Sequence, residues 1–482
     1  MSLDSPPPPA GPQVGADEWV AREEHRREYL PSWLGLAQRQ AERIGWWPRL
    51  AVAGLAAAAL PALGLGGFQL QVGIDALVIA LLAVGLNIVV GWTGLLDLGY
   101  VAFFGCGAYG FALVSSAQVG PNGIHLPSYL SIPLVMVVTA AIGLLVGLPS
   151  RRLVGDYLAI VTLFFGEAFV EFTNNVAPNI LGGPNGIVGV DAISVFGYQI
   201  TTNTGYYLLL VIVLVLTMAV LRLLEFSRTG RAWRAVREDP LAAGSMTIPV
   251  DRVKLTAFAF SAAVAALAGA IFAAQQISVF PTDFDTPILI LIYAGLILGG
   301  AGSIAGAATG ALVIMVIYDG LLRSPTDSGY LFYGLILLTL LARLRPWRRL
   351  ALVLAATVAL GFAVHAIAAA ISPRAVAGSP SSTGWIADAL HDWVIVPANA
   401  TVAGNWGFVA LVCLLIALVQ VGPRGRTILL PPTLYLAAFV WETRLSAEPS
   451  ITRQLMIGAI LIVMMIARPQ GLLGQRRVEA IT

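Results

Sequence analysis

The sequence predicts an all-α, polytopic helical membrane protein with broken or re-entrant helices. Three observations carry this. Hydrophobic residues make up 58% of the 482 residues and charged residues only 11%, against roughly 25% charged in soluble domains. Apolar stretches near the length that crosses a bilayer recur along the chain, and a backbone at that depth must satisfy its own polar groups as helix or closed barrel. Fifty glycines, several grouped inside apolar runs, mark points where helices break or approach closely.

The chain opens on MSLDSPPPPAGPQVGADEW. It lacks a basic stretch followed by an apolar core, so no cleaved signal peptide is expected, and the proline run is expected to be disordered or extended. From Ala16 to Leu50 the sequence is polar and helix-prone, with Trp33, Trp46 and Trp47 near its end, which predicts an amphipathic helix on the cytoplasmic membrane surface. Residues 1–49 are therefore read as a cytoplasmic extension. Hydropathy predicts apolar spans at 50–68, 72–92, 99–117, 128–149, 156–174, 205–224, 254–275, 286–301, 304–320, 329–342, 349–372, 407–422, 427–442 and 452–468, a few short enough to be half-helices. The expected organisation is a transmembrane core over 50–343, an extra membrane module over 344–450, and a terminal helix with a cytoplasmic tail over 451–482.

Arginine placement predicts orientation. With the N-terminus in the cytoplasm, alternation also puts inside Arg151 and Arg152, the loop 225–253, Arg343 to Arg349, Arg424 and Arg426, and the C-terminal arginines. Arg323, Arg444 and Arg453 fall on the outer side as exceptions.

The most informative loop is SRTGRAWRAVREDPLAAGSMTIPVDRVK, 227–254, with six cations against three acids. Arg231, Arg234 and Arg237 fall three apart, a helical spacing. Glu238, Asp239 and Pro240 suit the start of a second short helix. The loop reads either as a docking surface for a cytoplasmic protein or as a solvated basic loop obeying the positive-inside rule.

No catalytic or metal-binding constellation is present: the four histidines and two cysteines stand at no ligand spacing, and no cofactor is expected. Lys254 is the only lysine and follows no glycine-rich loop. The usual phosphate-binding loop needs that lysine, so any ATP drive comes from a partner. Intramembrane polar residues remain. Asp97 lies at a glycine-rich break, and Glu167 and Glu171 are four apart on one helix that ends in Asn174 and Asn175. Such groups either line a path for a polar substrate or bond to backbone at broken helices.

Several stretches in this order resemble the LivM-type permeases of branched-chain amino acid ABC importers: GLNIVVGWTGLLDLGYVAFFGCGAYG, GDYLAIVTLFFGEAFVEFTNN, GGPNGI, SRTGRAWRAVREDPLAAGSM, LILGGAGSIAGAATGA and ARPQGLLG. The resemblance implies a permease subunit in the bacterial inner membrane. Its expected partners are a second, LivH-like permease, two cytoplasmic ATPase subunits, an extracytoplasmic substrate-binding protein and membrane lipid, with no nucleic acid. It implies an ATPase-coupling role for Arg231, Arg234, Glu238, Asp239, Ala242, Ala243 and Gly244, and a substrate path drawing on Asn87, Asp97, Glu167, Glu171 and Asn174. Leu, Ile and Val are the substrates implied; related systems take urea, short amides or other amino acids. An ion-coupled secondary transporter and a membrane enzyme are the alternative classes.

This chain departs from the pattern twice. Thr247 stands where the family usually has glycine, and Gly244 is a candidate to compensate. About a hundred residues separate the run FYGLILLTLLARLRP, 332–346, from the similar run MIGAILIVMMIARP, 456–469. Either a module has been inserted there, or the terminal helix has been displaced and a new one substituted.

Overall fold

Apolar runs near twenty residues become helices here because the helix alone pairs every backbone group within one segment. The computed structural model describes residues 45–64, 66–116, 125–151, 156–176, 178–195, 197–323, 325–343, 347–371, 378, 391–397, 400–445, 449–467 and 471–473. The N-terminal extension up to residue 44 and most of the loop 373–406 lie outside the described residues. The chain divides into two units, 1–59 and 60–482. The first contributes helix α1, Trp46–Ala59.

In the second unit the core helices are α2 (Gly67–Leu86), α3 (Tyr100–Ser115), α4 (Ser128–Gly147), α5 (Asp156–Asn175), α6 (Asn203–Phe226), α7 (Arg228–Glu238), α8 (Pro240–Ser245), α9 (Val250–Gln276), α10 (Thr286–Gly299) and α11 (Ile304–Met315). Then follow α12 (Pro325–Arg343), α13 (Trp347–Ile371), α14 (Ala400–Gln420), α15 (Pro423–Val440) and α16 (Pro449–Ala467). Each apolar segment expected from hydropathy contains a helix; the one expected over 50–68 ends early, α1 stopping at Ala59 with a 3-10 turn to Leu63 before α2 starts at Gly67. Among the described residues, nine helices are long and apolar enough to cross a membrane. Three helices run on into widened π-turns, at Asn87–Trp92, Val316–Leu321 and Trp441–Leu445.

Helix α2 is buried along nearly its whole length and packs on α6, α9, α10 and α11. Close crossings depend on small residues. On α10, Gly295 and Gly299 face Ala311, Gly306 and Gly310 of α11, with no room for a Cβ. Gly107 of α3 and Gly269 of α9 lie equally close to the opposing backbone. Without water to drive association, such backbone approach is what holds apolar helices together. At the end of the bundle away from α7, two short antiparallel pairs, Ile187–Val188 with Ser278–Val279 and Ser194–Val195 with Tyr198–Gln199, close the loops.

Of the two similar runs, the second seats on the core. Ile457 of α16 packs with Leu291, Ala294, Leu298 and Ile314 of α10 and α11. Beyond α16 the Leu472 and Leu473 N–H groups donate to the Leu298 and Gly299 carbonyls at 2.8 and 2.9 Å. The first run, on α12, turns instead to the helices after it: Phe332 stacks on Trp441 at 4.3 Å, and Tyr333 donates to Glu442. Val394, Val396 and Ala438 form a separate small core beside Tyr333, Trp393 and Phe439.

Two of the three arginines that alternation leaves on the outer side are engaged. Arg453 lies 3.5 Å from Asp319 and over the Tyr318 ring, and Arg323 lies over the Phe68 ring. Asp319 precedes α12 and Arg453 follows α15, so the chain leaves the core and rejoins it at one place. Four helices, α12 to α15, lie between.

Excising 324–448 and joining Arg323 to Pro449 through a short Gly-Ser linker is expected to leave a membrane-inserted, monodisperse chain. Size-exclusion chromatography in detergent checks this; aggregation of the excised chain would make those helices part of the core.

Candidate functional site

The loop 227–249 projects from one end of the bundle as two short helices set by side-chain caps. Ser227 Oγ accepts the Gly230 N–H at 3.2 Å and starts α7. Asp239 Oδ1 accepts the Leu241 and Ala242 N–H groups at 2.7 and 3.1 Å and starts α8, with Pro240 in the first turn. These caps satisfy donors that a helix start leaves open. Leu241 and Met246 are 85% and 76% exposed. They sit beside exposed Glu238, Asp239, Ala242, Gly244 and Ser245, whereas Ala243 is buried.

Arg231 and Arg234, for which a coupling role is expected, bond back to the bundle. Arg231 Nη1 donates to the Phe226 carbonyl at 2.6 Å, and Arg234 Nη2 to the Glu225 carbonyl at 2.7 Å. Both complement the carbonyl end of α6. Glu225 is buried, paired with Arg222 at 2.6 Å and with Arg234 at 3.7 Å. The exposed tip of the loop is thus apolar and acidic, and the basic residues Arg231 and Arg234 hold its base.

Thr247 has φ of +64° and takes the left-handed position at the end of α8. Gly244, inside α8, has no positive φ and so does not supply that turn. A glycine at 247 adopts this backbone without a Cβ clash; threonine carries it under strain.

Asn87 and Asp97 lie at the same end of the bundle, fully buried. Asn87 Oδ1 accepts the Gly302 N–H at 2.7 Å. Asp97 Oδ1 accepts the Gly99 N–H, while Tyr293 bonds both the N–H and the carbonyl of Asp97 at 3.1 and 2.6 Å. These bonds staple the turn 93–99 to α10 and the turn 300–303 to α2. Asn87 Nδ2 and Asp97 Oδ2 remain buried with no hydrogen-bond partner among the described residues.

Glu167 and Glu171 stand elsewhere, on the exposed side of α5. Leu98 N–H donates to Thr162 Oγ1 at 2.9 Å. At about 1.5 Å per residue, Glu167 lies one and a half turns beyond that staple and Glu171 a further turn. Glu167 accepts from Thr286 Oγ1 at 2.6 Å, and Glu171 from Asn175 Nδ2 at 2.7 Å. Asn174 is partly buried beside them. The same face exposes Tyr157, Ile160, Phe164 and Phe172. Behind it, Tyr109, Phe169 and Phe284 pack ring to ring at 5.9 to 6.0 Å. The five residues expected along a substrate path therefore fall into two groups, Asn87 with Asp97 at one end of the bundle and Glu167, Glu171 and Asn174 along α5, joined through Thr162.

Sequence reasoning missed Trp92, Trp233, Arg237 and Gly302. Trp92 and Trp233 stack at 5.7 Å, Trp92 Nε1 donates to the Gly302 carbonyl at 3.3 Å, and Arg237 donates to the Gly91 carbonyl. The available signal was one buried-type tryptophan in each of two motifs; nothing in the sequence pairs them. Among the described residues, no group of three His, Cys, Asp or Glu could hold a metal ion.

Comparison with known proteins places these elements in context. The family described as branched-chain amino acid transport system / permease component matches residues 69–342. The high-affinity branched-chain amino acid transport system permease protein LivM of Salmonella typhimurium is 38% identical over 278 residues, covering 53% of this chain and 63% of that protein. LivM of Escherichia coli is 37% identical over the same length and coverage. The permease protein LivH of Salmonella typhimurium is 26% identical over 250 residues, covering 49% of this chain and 79% of LivH. The chain thus spans less than two thirds of the LivM proteins it matches. No solved structure matches it. The matched interval ends within α12, whereas packing seats α16 on the core.

Thr247→Gly is expected to stabilise the chain. Left-handed strain of about 1–2 kcal/mol is released, and the added freedom of glycine in the unfolded chain takes back about 0.5–1 kcal/mol. Thermal unfolding in detergent should show a higher midpoint; a lower one would show that the threonine side chain makes the turn.

Proposed function

We propose a function on the premise that the chain belongs to the family of branched-chain amino acid transport system permease components, whose match covers more than half of its length. It is the transmembrane permease subunit of an ATP-driven importer, and it moves leucine, isoleucine and valine delivered by an extracytoplasmic binding protein. The observation that carries this is the projecting α7–α8 tip, with Leu241 and Met246 exposed, on a chain whose one lysine, Lys254, is buried and bonded to the Ser150 carbonyl. An apolar tip on a rigid capped corner suits insertion into a cleft on a motor protein. Two cytoplasmic ATPase subunits take that role here.

The exposed face of α5 supports a second permease as neighbour. A carboxylate within a span is costly when it faces lipid, and this face carries two, Glu167 and Glu171. A LivH-like subunit covering it turns the face into the wall of a path. The wall's chemistry suits the substrate: carboxylates attract an ammonium group, and Phe164 and Phe172 receive an aliphatic side chain. Urea and short amides carry no such charge, so this chemistry favours an amino acid. The basic end of the bundle, with α7, faces the cytoplasm, and both termini lie on that side of the bacterial inner membrane.

Reconstitution in proteoliposomes with the ATPases, the second permease and the binding protein tests this reading: ATP-dependent leucine uptake is expected, and uptake by the chain without ATPases would overturn it. Leu241→Asp is expected to cut co-purification of the ATPases at least tenfold, because a leucine contact of about 1.5–3 kcal/mol is replaced by a charge; undiminished recovery would move the docking contact elsewhere. Glu171→Gln is expected to lower kcat/KM for leucine about tenfold or more, the equivalent of one charge-assisted hydrogen bond of about 1.5–3 kcal/mol, with ATPase recovery unchanged.

A further inference from the structure

We propose that Arg237 is the positioning residue through which the motor-docking loop drives the substrate path, with Trp233 as its companion. This rests on the function proposed above and deepens it. Trp233 and Arg237 are four apart on α7, so both project from one face. Trp233 is fully buried against Trp92, and its Nε1 donates to the Val253 carbonyl at 2.9 Å. The Arg237 Nη1 donates to the carbonyl of Gly91, 146 residues away in sequence.

Gly91 lies in the π-turn that ends α2. π-turns interrupt the regular ladder and recur at functional positions. The guanidinium is threaded between two glycines: a Cβ on Gly94 or on Gly302 would stand 3.0 Å from the Arg237 side chain. Both glycines have positive φ, +71° and +103°. Gly302 is itself held to the π-turn by Asn87 and Trp92. One side chain from the loop therefore meets both broken turns of the core.

These turns lead to the path. From the Arg237 contact the chain continues through Gly94 to Asp97, held by Tyr293, and to Leu98, held by Thr162 of α5. Glu167 and Glu171 follow on the same helix. A displacement of α8 is carried by α7, through Arg237, to the turns at the base of α2, α3, α10 and α11, and from there to α5. The loop and the two turns move as one body.

The test uses the complete importer in proteoliposomes, with ATP hydrolysed per leucine imported as the readout. Arg237→Ala is expected to raise that ratio at least tenfold while the ATPases still co-purify. Arg237→Lys is expected to recover most of the coupling, since an ammonium can still donate to the Gly91 carbonyl. An assembled Arg237→Ala importer with an unchanged ratio overturns the proposal. A second measurement needs no change at 237: nitroxides at Arg228→Cys and Ala301→Cys report the distance between α7 and the 300–303 turn. With Arg237 present that distance is expected to hold constant between the resting and ATP-trapped importer; a change would overturn the one-body link. Failure of the unmodified importer to couple ATP to uptake would remove the proposed function itself, and this link with it.

Discussion

The structure depends on satisfying the backbone where helices break inside an apolar bundle. An interrupted helix frees N–H and C=O groups that lipid cannot solvate, and each must find a partner within the protein. Here Asn87, Trp92, Tyr293 and Thr162 supply side-chain partners for the turns 93–99 and 300–303. Gly302 is at once donor and acceptor in that exchange. The requirement explains why Asn87 and Asp97 are buried beside these turns, and why glycine occupies the positions where the two turns meet.

Charge is distributed by the same logic. Glu225 is buried and paired with two arginines, and Asp319 is held by Arg453. Glu167 and Glu171 alone form a pair of acids on an exposed face of a membrane-length helix among the described core spans. A buried acid with its own arginine is an internal fastening; an exposed acid within a span asks for a protein neighbour or a wet path. The proposed division between structural staples and path residues rests on this contrast.

The extra helices show how a membrane fold accepts new material. The chain departs after Leu322 and returns at α16, where Arg453 meets Asp319. The returning helix then binds the glycine turn of α10 through Gly471, Leu472 and Leu473. Of two similar runs ending in arginine and proline, the family match extends into the first, yet it is the second that has Ile457 facing Leu291 and Ile314. Packing complementarity distinguishes helices that hydropathy treats as equal.

Hydropathy, glycine grouping and the helix start at Glu238, Asp239 and Pro240 made the spans, the breaks and the second short helix of the loop legible in the sequence, because each depends on residues within a few positions of one another. The resemblance marked Thr247 as a departure from glycine, and the structure shows there the left-handed backbone that glycine suits. The sequence alone also determined that Glu167 and Glu171 share a helix face. Only the tertiary structure decided that Arg231 and Arg234 fold back onto α6, that Arg237 reaches Gly91, and that α16 rather than α12 closes the core. Those outcomes join residues far apart in the chain or depend on where a long side chain points. Neither periodicity nor composition encodes which of several equally apolar surfaces, or equally available carbonyls, will be brought within reach.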